Sequence, residues 1–354
     1  MKNKVDIVIP VHNRTKLLKR ILDYYNEYGQ DFNFIIADSS NKINKAINKK
    51  LVESFTKLKI LYIDKFSEDL PQHIKFGKMI NYINNKYCVF CPDDDFIIPN
   101  GIRSCIDFLE KNPDYVAAHG TYIGFYLFKG ILKYQKFLWN LRYHNYSISD
   151  NTPHLRLFTH LSNFTLLLWA VRRTNVVRNC YKELLKINFD PELLLMFGEL
   201  LPDMLTVISG KVKRLETLYA ARQYFFSIAN NYLTLLDTVK TDFYLQEYNK
   251  FKNCLINNLQ VKEKIARYKA EQIIDSAMEK YLKSYSSYQE YLVNKVNRLL
   301  NHGPSWIARA LRTFHATYLF SKKKEGTIDT FDQLSSKYYQ DFESIRRIVL
   351  KYNI

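Results

Sequence analysis

Three consecutive carboxylates, Asp93-Asp94-Asp95, follow directly on the apolar run Tyr87–Cys91 (YCVFC) and Pro92. Adjacent carboxylates repel one another unless positive charge sits among them. A hard divalent cation is the natural neutraliser, held by one or two carboxylates together with the phosphates of a substrate. In a turn at a strand end, alternate residues such as Asp93 and Asp95 can face the same side while Asp94 faces away. The competing reading is an acidic turn that caps a helix, because Asp is favoured there on its own account. Two further polar clusters end apolar runs: His12-Asn13-Arg14 and Asp38-Ser39.

The elements that must position these residues alternate between strand and helix. Val5–Val11 (VDIVIPV) is rich in β-branched residues, and Pro10 should end or edge that strand. Residues 14–28 carry Leu17, Leu18, Ile21, Leu22 and Tyr25 at helical spacing, with Gly29 as a stop. Phe32–Ala37, Leu58–Ile63 and Tyr87–Cys91 read as further strands, separated by a Lys/Asn-rich helix and a helix over 73–85. This βαβα order predicts an α/β domain around a mostly parallel sheet, with ligands beyond the carboxyl ends of its strands.

Further on, Tyr115–Ala118 and Thr165–Val171 read as strands, and 130–160 has no clean period. Leu193–Ser209 is helical up to Gly210, Lys211–Leu215 is a short strand, and Ala220–Phe226 is a short strand or a loop. Beyond about residue 235 the texture turns helical, over 242–300 and 331–350. The expected division is a first domain at 1–235 and a basic helical region at 236–354.

Composition bounds the function. With 354 residues, 47% hydrophobic and 25% charged, the chain is neither disordered nor collagen-like. Five Cys exclude a disulfide-built miniprotein. The longest apolar run, Leu166–Val171, is strand length, far below the ~18 residues of a membrane-crossing helix. No secretory pattern precedes Ile7, so a reducing cytoplasm is expected, with peripheral contact at the inner membrane face left open. The net charge of +17 favours anionic partners. Residues 240–354 hold 20 Lys and Arg against 12 Asp and Glu, so nearly half that surplus lies outside the strand-rich region.

The motifs resemble those of family-2-like glycosyltransferases of GT-A fold. In that family the first strand reads apolar-Pro-x-x-Asn-Arg, here Ile9-Pro10-Val11-His12-Asn13-Arg14. The second strand ends in an Asp that contacts the nucleobase or ribose, here Asp38, and a metal-binding Asp-x-Asp motif follows a Tyr-x-x-Phe strand, here Tyr87–Phe90. Leu166–Arg173 (LLLWAVRR) fits the strand ending in Arg-Arg. The family's catalytic Glu-Asp pair stands about eleven residues before a Gly that precedes a strand. Glu199, 11 residues before Gly210, takes the second place, and Gly198 the first. The resemblance covers about 1–230. It implies a GT-A, Rossmann-like nucleotide-sugar-binding domain with a helical C-terminal region, and inverting sugar transfer with Mn²⁺ or Mg²⁺.

By that resemblance, Asp93 and Asp95 hold the metal, and Pro10, Asn13, Arg14, Asp38, Lys78, Asp93 and Asp94 bind the donor. Glu199 is the base, with Asp203, one helical turn away, as its rival. Pro202 suits the first turn of a helix, which puts Glu199 on the loop just before it. The triple Asp and the Gly77-Lys78-Met79 stretch depart from the family pattern, as does Arg222-Gln223-Tyr224 after the last strand. The implied partners are a nucleotide-sugar donor of UDP type and a glycan or lipid-linked glycan acceptor in bacterial-type surface polysaccharide synthesis, with an oligomer possible.

Other signals carry less. Cys88-x-x-Cys91 lacks a second pair and reads as core. His144 and His154 are scattered. Ser305–Phe320 with Lys322–Lys324 is amphipathic and basic, and reads either as an in-plane membrane helix over 305–324 or as ordinary packing. Two rival functions stay in view. A sugar-phosphate nucleotidyltransferase would need a Gly-rich loop after the first strand, which is absent. A nucleic-acid-binding protein would use the 27 Tyr for stacking, but no known binding motif supports it, and no nucleic-acid partner is expected.

Overall fold

The structure is a computed structural model that describes residues 4–129, 135–142, 146–224, 244–285 and 338–352. In chain order its elements are β1 (Val5–Val11), α1 (Thr15–Tyr28), β2 (Asn33–Asp38), α2 (Lys42–Glu53), β3 (Lys59–Ile63), α3 (Gln72–Met79), β4 (Tyr87–Phe90) and β5 (Phe96–Ile97). Then come α4 (Pro99–Lys111), β6 (Tyr115–Lys129), β7 (Gln135–Arg142), α5 (Pro153–Ser162), β8 (Val171–Arg173), α6 (Thr174–Lys186), α7 (Pro191–Ser209) and β9 (Lys211–Tyr224). Three more helices follow: α8 (Tyr244–Glu263), α9 (Arg267–Tyr285) and α10 (Tyr339–Lys351). The 305–324 segment lies outside the described residues, as does His144. Among the described residues no helix is long and apolar enough to cross a membrane.

One sheet runs in the order β3-β2-β1-β4-β8-β6-β9-β5, with β7 paired to β6. The β3-β2-β1-β4 half is parallel, as the βαβα order requires. The other half corrects the mostly parallel expectation. There β8 runs antiparallel to both β4 and β6, while β6 and β9 are parallel, so the sheet is mixed. Side-chain alternation splits the core into two apolar layers. Val8 and Ile35 face one layer with α3 and α5–α9, while Ile7, Ile9, Phe34 and Ile36 face the other with α1, α4 and α10. In α1 the buried stripe of Leu18, Ile21, Leu22 and Tyr25 contributes roughly 2 kcal/mol per side chain.

Pro10 stands in an interior strand, and the register explains how it is tolerated. Pairing with β4 covers only Val5–Val8, and the Cys91 N–H to Val8 carbonyl bond is the last on that side. The N–H that proline lacks faces the gap beyond, where β4 has already turned toward Asp93. The sheet therefore opens at the aspartates.

Three sequence expectations change in the middle of the chain. Residues 165–170 form a loop, and only Val171–Arg173 is strand. The two short strands expected over 115–118 and 211–215 belong to a long pair, β6 and β9, whose register shifts by bulges near Gly120. Helix α7 is continuous from Pro191, so Pro202 lies inside it and Glu199 is helical, not on a preceding loop. Pro191 holds the first-turn position that Pro202 was expected to take.

Of the helices beyond 235, α8 packs against α7, α9 against α5 and α8, and α10 against α1. Phe197 meets Phe251 with ring centroids 4.9 Å apart, and the Glu247 carboxylate accepts the Asp190 N–H at 2.8 Å, just ahead of α7. His154 and Glu263 pair at 2.8 Å, tying α5 to α8. All five cysteines are buried free thiols.

Candidate active site

Beyond the carboxyl ends of β1, β2 and β4 lies a cleft of about 520 Å³, lined by Pro10, His12, Arg14, Ser39, Lys75, Asp93–Asp95, Trp169, Glu199 and Arg222 among others. That volume lies within the range of small-molecule sites. The sheet topology brings residues more than 180 positions apart onto one surface.

The three aspartates are held differently. Arg14 Nη1 donates to Asp93 Oδ1 at 3.2 Å and to Asp94 Oδ2 at 2.8 Å. Asp93 Oδ2 is buried and accepts no hydrogen bond from the protein. Asp95 Oδ2 accepts from the Trp169 indole N–H at 2.8 Å, and its Oδ1 accepts the Gln223 N–H at 3.1 Å. The Arg222 guanidinium stands 3.6 Å from Asp95 Oδ2 and stacks 3.7 Å from the Trp169 ring centre. Burial, reinforced by the Asp94 charge, pushes both Asp93 and Asp95 up to about 7, against the opposing fields of Arg14 and Arg222. The pair is thus short of positive charge.

The proposed donor contacts divide. Pro10, Arg14, Asp93 and Asp94 line the cleft. Asn13, at φ 53°, instead knits loops together: its Oδ1 accepts from Asn41 N–H and Asn44 Nδ2, and its Nδ2 donates to Glu68. Asparagine tolerates that left-handed geometry better than most residues. Asp38 is fully buried and accepts from Ser40 N–H, Asn48 Nδ2 and Tyr62 O–H, each at 2.7 Å. It holds the β2 loop in place from behind and does not line the cleft. Lys78 is exposed and is not among the residues that line the cleft. One turn earlier, Lys75 lies buried on the cleft floor, donating to the Val11 carbonyl at 3.1 Å and Ser39 Oγ at 2.8 Å. Burial pushes its ammonium down to about 8, so it stays mostly charged at neutral pH.

Glu199 and Asp203 share one face of α7 and do different work. Glu199 lines the cleft, and burial pushes its carboxyl up to about 7 against the field of Arg222. Asp203 lies deeper, 2% exposed, and its Oδ2 accepts the Leu167 N–H at 2.7 Å. It suspends the 165–170 loop whose Trp169 grips Asp95. Replacing Asp203 with Asn keeps an acceptor for Leu167, whereas Ala removes it. Asp203→Asn is expected to retain transfer within about tenfold, and Asp203→Ala to raise KM and lower stability by about 2 kcal/mol. Steady-state kinetics and denaturant melts check this. Loss of turnover in the Asn variant to the level of a base knockout would make Asp203 the base.

Gly198 has a packing cause. A Cβ there would stand 2.7 Å from His73 Cγ, and the imidazole is buried with nowhere to move. Gly198→Ala is expected to cost about 2 kcal/mol in thermal or denaturant melts, by pushing α7 off α3.

Residues 6–173 match the family described as Glycosyl transferase family 2. This region is a family 2 glycosyltransferase domain. No curated protein matches the chain. Among solved structures it is similar to S. aureus TarS 1–349 in complex with UDP-GlcNAc, at 13% identity over 82% of this chain and 92% of that one, with a TM-score of 0.44. It is also similar to the mannosyltransferase PcManGT from Pyrobaculum calidifontis in complex with GDP-Man and Mn²⁺, at 8% identity over 100% of this chain and 89% of that one, TM-score 0.42.

Several side chains in the cleft or behind it were not legible in the sequence. Lys75 was missed because residues 75 and 78 are one turn apart, and only packing fixes the rotation of α3. Gly77 lets α3 pack closely on α6, since a Cβ there would meet Leu185 Cγ at 2.8 Å. Trp169 sits in an apolar run that read as strand. Arg20 lies on α1's buried face and donates to Gln223 Oε1 and the Asp94 carbonyl. The helical period places it there, but an arginine among apolar positions gives no sign of its partners.

Proposed function

We propose that this glycosyltransferase binds a nucleoside-diphosphate sugar, UDP-linked in the first instance, and passes the sugar with inversion to a hydroxyl of a glycan or lipid-linked glycan. The observation that carries the reading is Glu199, a carboxylate held near pKa 7 and facing the same cleft as the aspartate triple. A base poised near the working pH accepts the hydroxyl proton as that oxygen attacks the anomeric carbon. Lys75 and Arg14 add positive charge for the diphosphate, and Arg222 joins the base to the aspartates electrostatically.

The donor set fits a divalent cation. Asp93 Oδ2 is a buried acceptor without a protein donor, and the Asp95 carboxylate keeps acceptor capacity beyond its bonds to Trp169 and Gln223. Among the described residues no group of three or more His, Cys, Asp or Glu could hold a metal by itself. One or two carboxylates completed by substrate phosphates suit Mg²⁺ or Mn²⁺, and Asp93 and Asp95 are the residues for it. Bound there, the ion supplies Lewis-acid stabilisation of the departing diphosphate. The donor-handling region would span 1–235, with α8 beyond it buttressing α7 and thereby Glu199.

A thermal-shift panel of UDP, GDP and their sugars, with and without Mn²⁺, tests the reading. A ligand specific for the folded state raises its stability, by about 2.7 kcal/mol at a hundred times Kd. The expected result is a shift with a nucleotide that grows with the cation. No shift with any nucleotide under either condition would sink the proposal.

A further inference from the structure

Helix α2 covers one end of the sheet, and its two faces differ sharply. Its inner face is tied down through Asn48 to Asp38, through Lys45 Nζ to the Phe66 carbonyl, and through buried Val52. Its outer face carries Ile43 at 74% and Ile47 at 48% exposure, one turn apart. Of the large hydrophobics exposed among the described residues, only Val261 projects further than Ile43. Around the helix Lys50 lies next to Ile43, on the side away from Ile47, and exposed Lys42 and Lys49 lie farther round on that same side. Exposed Lys57 follows, and Glu53 is the sole acidic residue from 42 to 63.

We propose that this face of α2 docks on an anionic lipid bilayer. Protruding branched aliphatics beside lysines suit a surface that is apolar beneath and negative at its headgroups. A nucleic acid would satisfy the lysines but leave Ile43 and Ile47 against phosphates, and the outer face offers no aromatic ring for base stacking. The placement has a consequence for the cleft. Asn41 and Asn44, at the start of α2, bond to Asn13, whose amide reaches the cleft-lining Glu68. Seating α2 on a membrane holds the mouth of the cleft close to the headgroup layer, where a lipid-linked acceptor is presented. The docking does not depend on the sugar-transfer reading.

Flotation of the full chain with vesicles of phosphatidylcholine, or phosphatidylcholine mixed with phosphatidylglycerol, tests it. The expected result is salt-sensitive binding to the mixed vesicles only. Binding should drop about tenfold or more in Ile43→Asp/Ile47→Asp and in Lys42→Gln/Lys49→Gln/Lys50→Gln. All five substitutions are on the solvent side, and unchanged circular dichroism melts confirm the fold. Wild-type chain that ignores phosphatidylglycerol overturns the proposal. So does binding that survives both sets of substitutions, which would place the contact elsewhere. If the variants lose oligonucleotide binding while vesicle binding is unchanged, the face is a nucleic-acid surface and the proposal fails.

Discussion

Glu199→Gln lowers kcat by about a hundred- to ten-thousand-fold and leaves nucleotide binding within a few fold of wild type, as expected for loss of a general base. Glutamine keeps the shape of the side chain and its place beside Arg222 but accepts no proton. The same substitution has a stability signature that a glutamate of ordinary pKa would not show. In the fold, burial moves this carboxyl from 4.5 to about 7. Between those values the folded state holds a proton that the unfolded chain has released, so this group makes the wild type less stable as pH rises. The loss is complete above about pH 7. Glu199→Gln escapes it, so the variant gains on wild type as pH rises from 4 to 8, by on the order of 3 kcal/mol. Urea melts at several pH values read that difference directly. A variant with normal turnover, or a stability gap that does not change with pH, would remove Glu199 from the base role. In the wild type, kcat should climb with pH toward a plateau just above 7.

Asp93→Asn abolishes the cation's contribution to nucleotide binding and reduces transfer by about a hundred- to a thousand-fold. Asparagine retains an oxygen for the Arg14 bond that Asp93 Oδ1 now accepts, so the loop geometry survives. What it removes is the charge and the acceptor capacity of Oδ2, the buried atom without a protein donor. Titration calorimetry of UDP with and without Mn²⁺ separates the two effects. Cation-independent binding should persist weakly, and the cation-dependent increment should vanish. A variant that keeps the full increment would place the metal elsewhere or show that none is used.

The strand-helix alternation of the first 91 residues was legible because each element has a clear period and ends in a recognisable stop. Val5–Val11, the helix before Gly29 and the strand before the aspartates all appear within a residue or two of their expected bounds. The middle was less legible for physical reasons. Strand β8 is short: Val171, Arg172 and Arg173 are its pairing residues, and in the apolar run ahead of them Leu166, Leu168 and Trp169 line the cleft. Strands β6 and β9 bulge past each other near Gly120, which breaks the two-residue period that a strand reading needs. Pro202 misled because a proline inside a helix is rare. Here the flanking Leu201, Met204 and Leu205 are buried against α6, α8 and their neighbours, and that packing carries the helix through the proline.

The sequence by itself determined the residue types available for chemistry: the aspartate triple, the Pro-x-x-Asn-Arg turn and a glutamate eleven residues ahead of a glycine. These are local patterns, and chain order and spacing are enough to reveal them. Only the tertiary structure decided which of these side chains meet. Asp38 and Asp203 end a strand and sit on a helix as expected, yet both are consumed by hydrogen bonds that hold loops. Lys75, one turn before Lys78, is the α3 lysine on the cleft floor. Trp169 and Arg222, distant in sequence from Asp95, close around it. Whether a carboxylate is a tool or an anchor depends on which donors the fold brings within 3 Å and how much water it leaves, and neither is written in local spacing.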